Sequence, residues 1–104
     1  MPLLRIQRYA LNGIQVVDYF ITEGSFDAGG QSVFFQLNPS LFPTTGKYAV
    51  IRTTGSISNL ATPIGTAAWV GGSHPSGYSV SAPEKDVSTM SGTQYSILYV
   101  TVSA

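Results

Sequence analysis

Wherever apolar residues fall into a rhythm along this chain the period is two, and no segment sustains the 3.6-residue spacing of a three-turn helix. Gly, Pro, Asn and Ser divide that rhythm into about seven or eight short β runs, the pattern of an all-β fold. A chain of 104 residues has room for one hydrophobic core and not for two. The expected architecture is a single all-β domain over residues 1–104. It is a small antiparallel sandwich or jelly-roll-like domain that begins with a β-hairpin, with a partly open barrel as the alternative.

The sharpest local signal is Asn12-Gly13 between the β-rich runs Leu3 to Leu11 and Ile14 to Thr22. Both residues tolerate the positive φ of a type I′ turn, so the segment reads as a hairpin with a two-residue loop. That loop sets the register: Leu11 faces Ile14, Tyr9 faces Val16, Gln7 faces Asp18 and Arg5 faces Phe20. On the other side Leu4 meets Ile21, Ile6 meets Tyr19 and Arg8 meets Val17. Both faces carry large apolar groups. Leu4, Ile6, Tyr19 and Ile21 are the expected buried set, with Arg5 diagonal to Asp18 as a modest surface pair.

Gly24, Gly29 and Gly30 surround Phe26 and Asp27, and a third run follows from Gln31 to Leu37. Pro39 and Pro43 bracket Leu41-Phe42, an apolar knob expected as a turn pinned to the core, because proline cannot continue a central strand. Lys47 to Thr53 alternates as a strand, and Ser56 to Leu60 reads as another strand or a bulged continuation. From Ala61 to Ser81 the pattern weakens around the short candidates Ala67 to Val70 and Tyr78 to Ser81, so a long irregular region is expected there. Glu84-Lys85-Asp86 after Pro83 is expected as an exposed turn. Thr93 to Val102 is a long terminal strand, apolar on both faces and therefore central in a sheet or against a neighbouring subunit. No exact internal repeat and no domain linker stand out.

Composition narrows the function. Hydrophobic residues form 43% of the chain and aromatic residues 12%, enough for a core and far too much for disorder. Charged residues are only 10% and balance to zero, so the surface is polar and weakly charged. No long-range field draws the chain to nucleic acid or to an anionic membrane, and neither is an expected partner. Near-zero charge also removes the repulsion that keeps copies apart, which favours a homo-oligomer. Met1-Pro2-Leu3-Leu4-Arg5 is not followed by the apolar run of a secretory signal, and there is no transmembrane stretch. With no cysteine there are neither disulfides nor thiol chemistry.

The chemical candidates are weak. His74 is the sole histidine and lies among serines, but no Gly-x-Ser-x-Gly elbow accompanies it, and a small hydrolase built on it lacks its other parts. One histidine without cysteine makes no zinc site. Asp18, Glu23 and Asp27 match no EF-hand spacing. Glu84 and Asp86 flank Lys85 without a substrate cleft and read as solvated charges, not a glycosidase pair. Gly29-Gly30 and Gly71-Gly72 are turn or bulge glycines, since no Lys-Ser or Lys-Thr and helix follow. The expectation is no enzyme, no metal and no cofactor.

Aromatic residues are the remaining lead: Trp69, Tyr78, Tyr95 and Tyr99 are candidates for stacking on sugar rings or filling pockets in a protein partner. Core packing is the plainer reading of such rings. Trp69, beside Gly71-Gly72, and Tyr78 are the residues singled out for partner or glycan contact.

The stretches Gly24-Ser25-Phe26-Asp27-Ala28-Gly29-Gly30, Val33-Phe34-Phe35-Gln36-Leu37-Asn38-Pro39 and Gly46-Lys47-Tyr48-Ala49-Val50-Ile51 resemble small β-rich accessory proteins of tailed-phage virions. So does the whole-chain style of low charge and abundant Ser, Thr and Gly. The resemblance implies a structural protein made in the host cytoplasm and located in the virion, most simply a capsid decoration or cement subunit. Its partners would be the major capsid protein or another virion protein and copies of itself, a trimer being favoured. The alternative is a carbohydrate- or receptor-binding module of a tail fibre or a secreted lectin-like protein. No site residue carries over.

Overall fold

Two short strands, β1 (Leu3–Leu4) and β2 (Arg8–Leu11), run antiparallel to β3 (Ile14–Thr22) as the arms of the expected hairpin. The computed structural model describes the backbone of residues 3–4, 8–11, 14–22, 24–90 and 92–104, and the side chains of 24–89 and 92–104. Leu11 faces Ile14, Tyr9 faces Val16 and Arg8 faces Val17, the register a two-residue loop requires. Farther along, Leu4 pairs with Phe20 and Leu3 with Ile21, one position away from the expected Leu4–Ile21 pairing. The first arm has one residue more between these pairings than β3 has, which shifts the register. The Asn12-Gly13 turn, the Ile6 and Gln7 pairings and the Arg5–Asp18 contact lie outside the described residues, as does the burial of Leu4, Ile6, Tyr19 and Ile21.

The chain continues through β4 (Phe26–Asp27), β5 (Val33–Leu37), a 3-10 turn at Pro39–Leu41 and β6 (Gly46–Thr53). Then follow β7 (Ile57–Ser58), β8 (Gly65–Trp69), β9 (Ser79–Val80), β10 (Glu84–Met90) and β11 (Thr93–Ser103). The domain is all-β, and among the described residues it has no α-helix. The main sheet has the order β1-β3-β6-β11-β10, with β2 also beside β3 and β9 also beside β11. Its two outer strands, β2 and β10, approach each other, so the sheet curls part of the way towards a barrel.

Three pairings are parallel: β3 with β6, β4 with β7 and β5 with β8. Parallel neighbours need a crossover, and here each pair belongs to the same one. The chain makes one coil from β3 through β5 and lays a second, β6 through β8, directly along it. The offset between partners is identical at Thr22–Thr53 and Phe26–Ile57 and one residue greater at Val33–Gly65. Along this contact Thr22-Glu23-Gly24-Ser25-Phe26 matches Thr53-Thr54-Gly55-Ser56-Ile57, an approximate repeat hidden by the change of offset. The Ser56 hydroxyl donates to the Ser25 hydroxyl at 3.2 Å, and the Thr53 hydroxyl donates to the Gly24 carbonyl. A Cβ on Gly55 would lie 1.8 Å from that same carbonyl oxygen, so the coils can touch only where this side chain is absent.

The core fills the space between the sheet and the β5–β8 ribbon. Phe35, Leu37 and Trp69 from the ribbon meet Tyr48, Val50 and Ile51 of β6 and Leu98, Val100 and Val102 of β11. Burial of each of the larger side chains contributes about 1.5–3 kcal/mol. The register between β6 and β11 slips at Leu98/Tyr99, leaving Val50 as an extra residue opposite no partner. Such a bulge turns consecutive side chains to one side, which is why Val50 and Ile51 both reach the core. The expected knob is confirmed: Phe42 is fully buried, its ring 4.8 Å from that of Tyr48. The Tyr48 hydroxyl donates to the Thr44 carbonyl at 2.8 Å and fastens the knob to β6.

The expected turn after Pro83 is also overturned. Glu84-Lys85-Asp86 is exposed as expected, but it begins a strand instead of forming a turn: Glu84 pairs with Tyr99, Lys85 with Leu98 and Asp86 with Ile97. The long β11 offers a complete row of partners, and charge on an outer strand blunts its free edge. The Lys85 ammonium also donates to the Ile57 carbonyl at 2.9 Å, tying the strand to β7.

Candidate functional site

An open groove of about 360 Å³ lies where β8 leaves the ribbon and the chain loops back into β9. Ala67, Ala68 and Trp69 form one bank, Gly72, Ser73 and His74 the end, and Gly77, Tyr78, Ser79 and Val80 the other bank. The loop is sharp because Gly71 and Gly72 adopt φ of +85° and +90°, a region that residues with a Cβ rarely enter. The Gly72 amide closes the turn by donating to the Trp69 carbonyl at 3.0 Å.

His74 is the staple of this loop. The Ser76 amide donates to Nδ1 at 3.0 Å, so the ring proton sits on Nε2, which donates to the Phe42 carbonyl 2.9 Å away. The side chain is 7% exposed, and both nitrogens are committed to backbone groups. Its ring lies between Trp69, at 4.9 Å, and Tyr78, at 4.8 Å. The histidine therefore joins the loop to the Phe42 knob, and neither of its nitrogens is turned to the groove as a base would be.

The two residues singled out from the sequence do come together, in different roles from those expected. Trp69 is 8% exposed and its ring meets Phe42 edge-on at 5.6 Å, so it is a wall of the core and no open stacking platform. Its indole N–H donates to the Tyr78 carbonyl at 2.9 Å and fixes the far bank of the groove. Tyr78 is half-buried, backed by His74. Ser73, Ser79 and Ala68, which line the same groove, carried no signal in the sequence. Tyr95 and Tyr99 lie elsewhere, on β11, and each is already covered by a cation: Arg52 lies 5.0 Å from the Tyr95 ring centre and Lys47 4.9 Å from that of Tyr99.

Among the described residues, the side chains that line the groove carry no formal charge. Residues 28–46 and 53–83 contain no Asp, Glu, Lys or Arg, and they comprise β5, β7, β8, β9 and the loops among them. On the ribbon the inward residues Phe35, Leu37 and Trp69 are buried, and Phe34, Gln36, Thr66 and Ala68 face outward. Phe34 is 61% exposed and Val70, at the end of β8, 52%. Asp27, which precedes the first of these stretches, accepts from the Asn59 side-chain amide at 2.9 and 3.0 Å and from the Gly29 amide at 2.7 Å. These bonds, that of Asn59 first, hold its carboxyl below the ordinary value of 3.8. Among the described residues no three His, Cys, Asp or Glu side chains gather as a metal site would require.

No protein-family model matches the chain, and neither does any curated protein or solved structure compared with it.

Proposed function

We propose that this chain is a non-enzymatic structural protein that docks its uncharged β5–β8 side onto a larger assembly. In the setting implied by the resemblance it is a capsid decoration or cement subunit of a tailed-phage virion. Its partners are the major capsid protein or another virion protein, together with further copies of the chain, a trimer being favoured. The observation that carries this reading is the outward ribbon face, where Phe34 and Val70 stand open on stretches of chain that carry no charged side chain. The buried centre of a protein interface is depleted of charge in the same way, whereas ordinary solvent-facing surface is not. The β5–β8 ribbon is also only two strands wide, and neither strand carries the lysine or proline that usually shields a free edge.

Light scattering over a concentration series tests the reading. The native chain is expected to associate, and Phe34→Asp to weaken that association by at least tenfold, as a buried unpaired charge does, with the β spectrum unchanged. A native chain that stays monomeric at every concentration, and fails to sediment with phage particles, contradicts it.

A further inference from the structure

We infer that the groove between β8 and β9 is a binding site for a neutral saccharide, seated against Tyr78 and hydrogen-bonded by the hydroxyls of Ser73, Tyr78 and Ser79. The lining selects this chemistry step by step. Among the described residues no charged side chain lines the groove, and the sequence has none from residue 53 to residue 83. A phosphate, a carboxylate or an ammonium group would leave water there without meeting an opposite charge. A wholly apolar ligand would in turn leave polar groups of the lining, among them those of Ser73, Tyr78 and Ser79, without hydrogen bonds. A sugar ring has both properties the lining asks for: C–H faces that rest on an aromatic ring, and hydroxyls that donate and accept as serine and tyrosine do.

The fold supplies a rigid base for such a ligand. The Trp69 N–H fixes the Tyr78 carbonyl, and His74 supports the Tyr78 ring from behind while its two nitrogens hold the Ser76 amide and the Phe42 carbonyl. The bank that meets the ligand is thereby set before binding, which reduces the ordering cost. Gly72, at φ +90°, holds the tight turn that brings Ser73 to the groove, a conformation that residues with a Cβ rarely adopt. At about 360 Å³ the groove lies at the small end of ligand sites, matching one or two sugar rings and not a long polymer. The site shares only Ala68 with the outward ribbon face, so sugar binding and docking are separable.

Nuclear magnetic resonance titration of the full chain tests the inference. The probes are glucose, galactose, mannose and N-acetylglucosamine, with N-acetylneuraminic acid as the charged control. A weak site with a Kd near about 1 mM is expected for at least one neutral sugar, with saturable shifts of the Trp69 indole N–H and the amides of residues 72–80. Tyr78→Ala should weaken binding at least tenfold. Ser73→Arg, which fills the groove from an exposed loop position without touching the core, should abolish it. Phe34→Asp should leave it intact even where it disrupts association, so failure of the docking reading and failure of this one give different results. Absence of saturable shifts for every neutral sugar overturns the inference, as does tighter binding of the charged control or unchanged affinity in a folded Ser73→Arg variant.

Discussion

At the scale of single residues, His74 does the most with the least exposure, because its two nitrogens join the 70–78 loop to the Phe42 knob. His74→Ala deletes the bonds to the Phe42 carbonyl and the Ser76 amide and removes a ring packed against Trp69 and Tyr78. It is expected to cost about 2–4 kcal/mol in urea unfolding, and a loss below about 0.5 kcal/mol would show that the loop does not depend on it. Trp69→Phe retains most of the ring and deletes the bond to Tyr78, an expected loss of about 1–2 kcal/mol by the same measurement. Asp27 gives the pH dependence. Its folded pKa is lowered, so its contribution to stability is present above the ordinary value of 3.8 and is lost as pH falls through the folded value. Asn59→Gly, which suits the positive φ of 55° at that position, removes the principal cause. The Asp27 carboxyl should then titrate closer to 3.8 by carbon-detected resonance, and an unmoved titration would assign the shift elsewhere.

The elements show what the sequence disclosed and what it concealed. The first hairpin was legible because a two-residue loop sets the register beside it, and Leu11–Ile14 through Arg8–Val17 pair accordingly. The Pro39–Pro43 knob was legible because two prolines forbid a strand between apolar neighbours. The strand at Glu84 was concealed: three adjacent charges resemble a turn, and only the partner row on β11 makes them an edge strand. The parallel stacking of two coils was concealed for another reason. A period-two pattern tells which residues share a face but nothing about strand direction, and the Thr-x-Gly-Ser repeat spans too few residues to stand out. This stacking carries its own prediction. A Cβ on Gly65 would lie 1.9 Å from the Val33 carbonyl oxygen, a backbone atom that cannot swing aside, so Gly65→Ala must separate β5 from β8. The expected cost is about 3 kcal/mol or more in urea unfolding, with loss of hydrogen-exchange protection at residues 66 and 68. A variant as stable as the native chain would mean that the ribbon is not paired in this way. Of the groove, Trp69 and Tyr78 were legible as aromatic residues near glycines. The burial of one and the half-exposure of the other depend on the loop closing over Phe42, which is tertiary information.

Across the whole molecule, the decisive property is where charge is absent. The chain has equal numbers of acidic and basic residues, so its sum says little. Its distribution says more: the strands of the main sheet carry Arg8, Asp18, Lys47, Arg52, Glu84, Lys85 and Asp86, and those of the second layer carry only Asp27. A surface of this kind is kept in solution by hydroxyls and amides alone, and with Phe34 and Val70 open on it its removal from water is favourable at about 25 cal/mol for each Å² of apolar area. Docking through the outward ribbon face would remove this area from water, and hydrogen exchange on the assembled protein, compared with a dilute monomeric sample, reads it out. Exchange at the backbone amides of Phe34 and Gln36 is expected to slow on assembly. Protection confined to β10 and β11, with the ribbon exchanging as fast in the assembly as in the monomer, would contradict it.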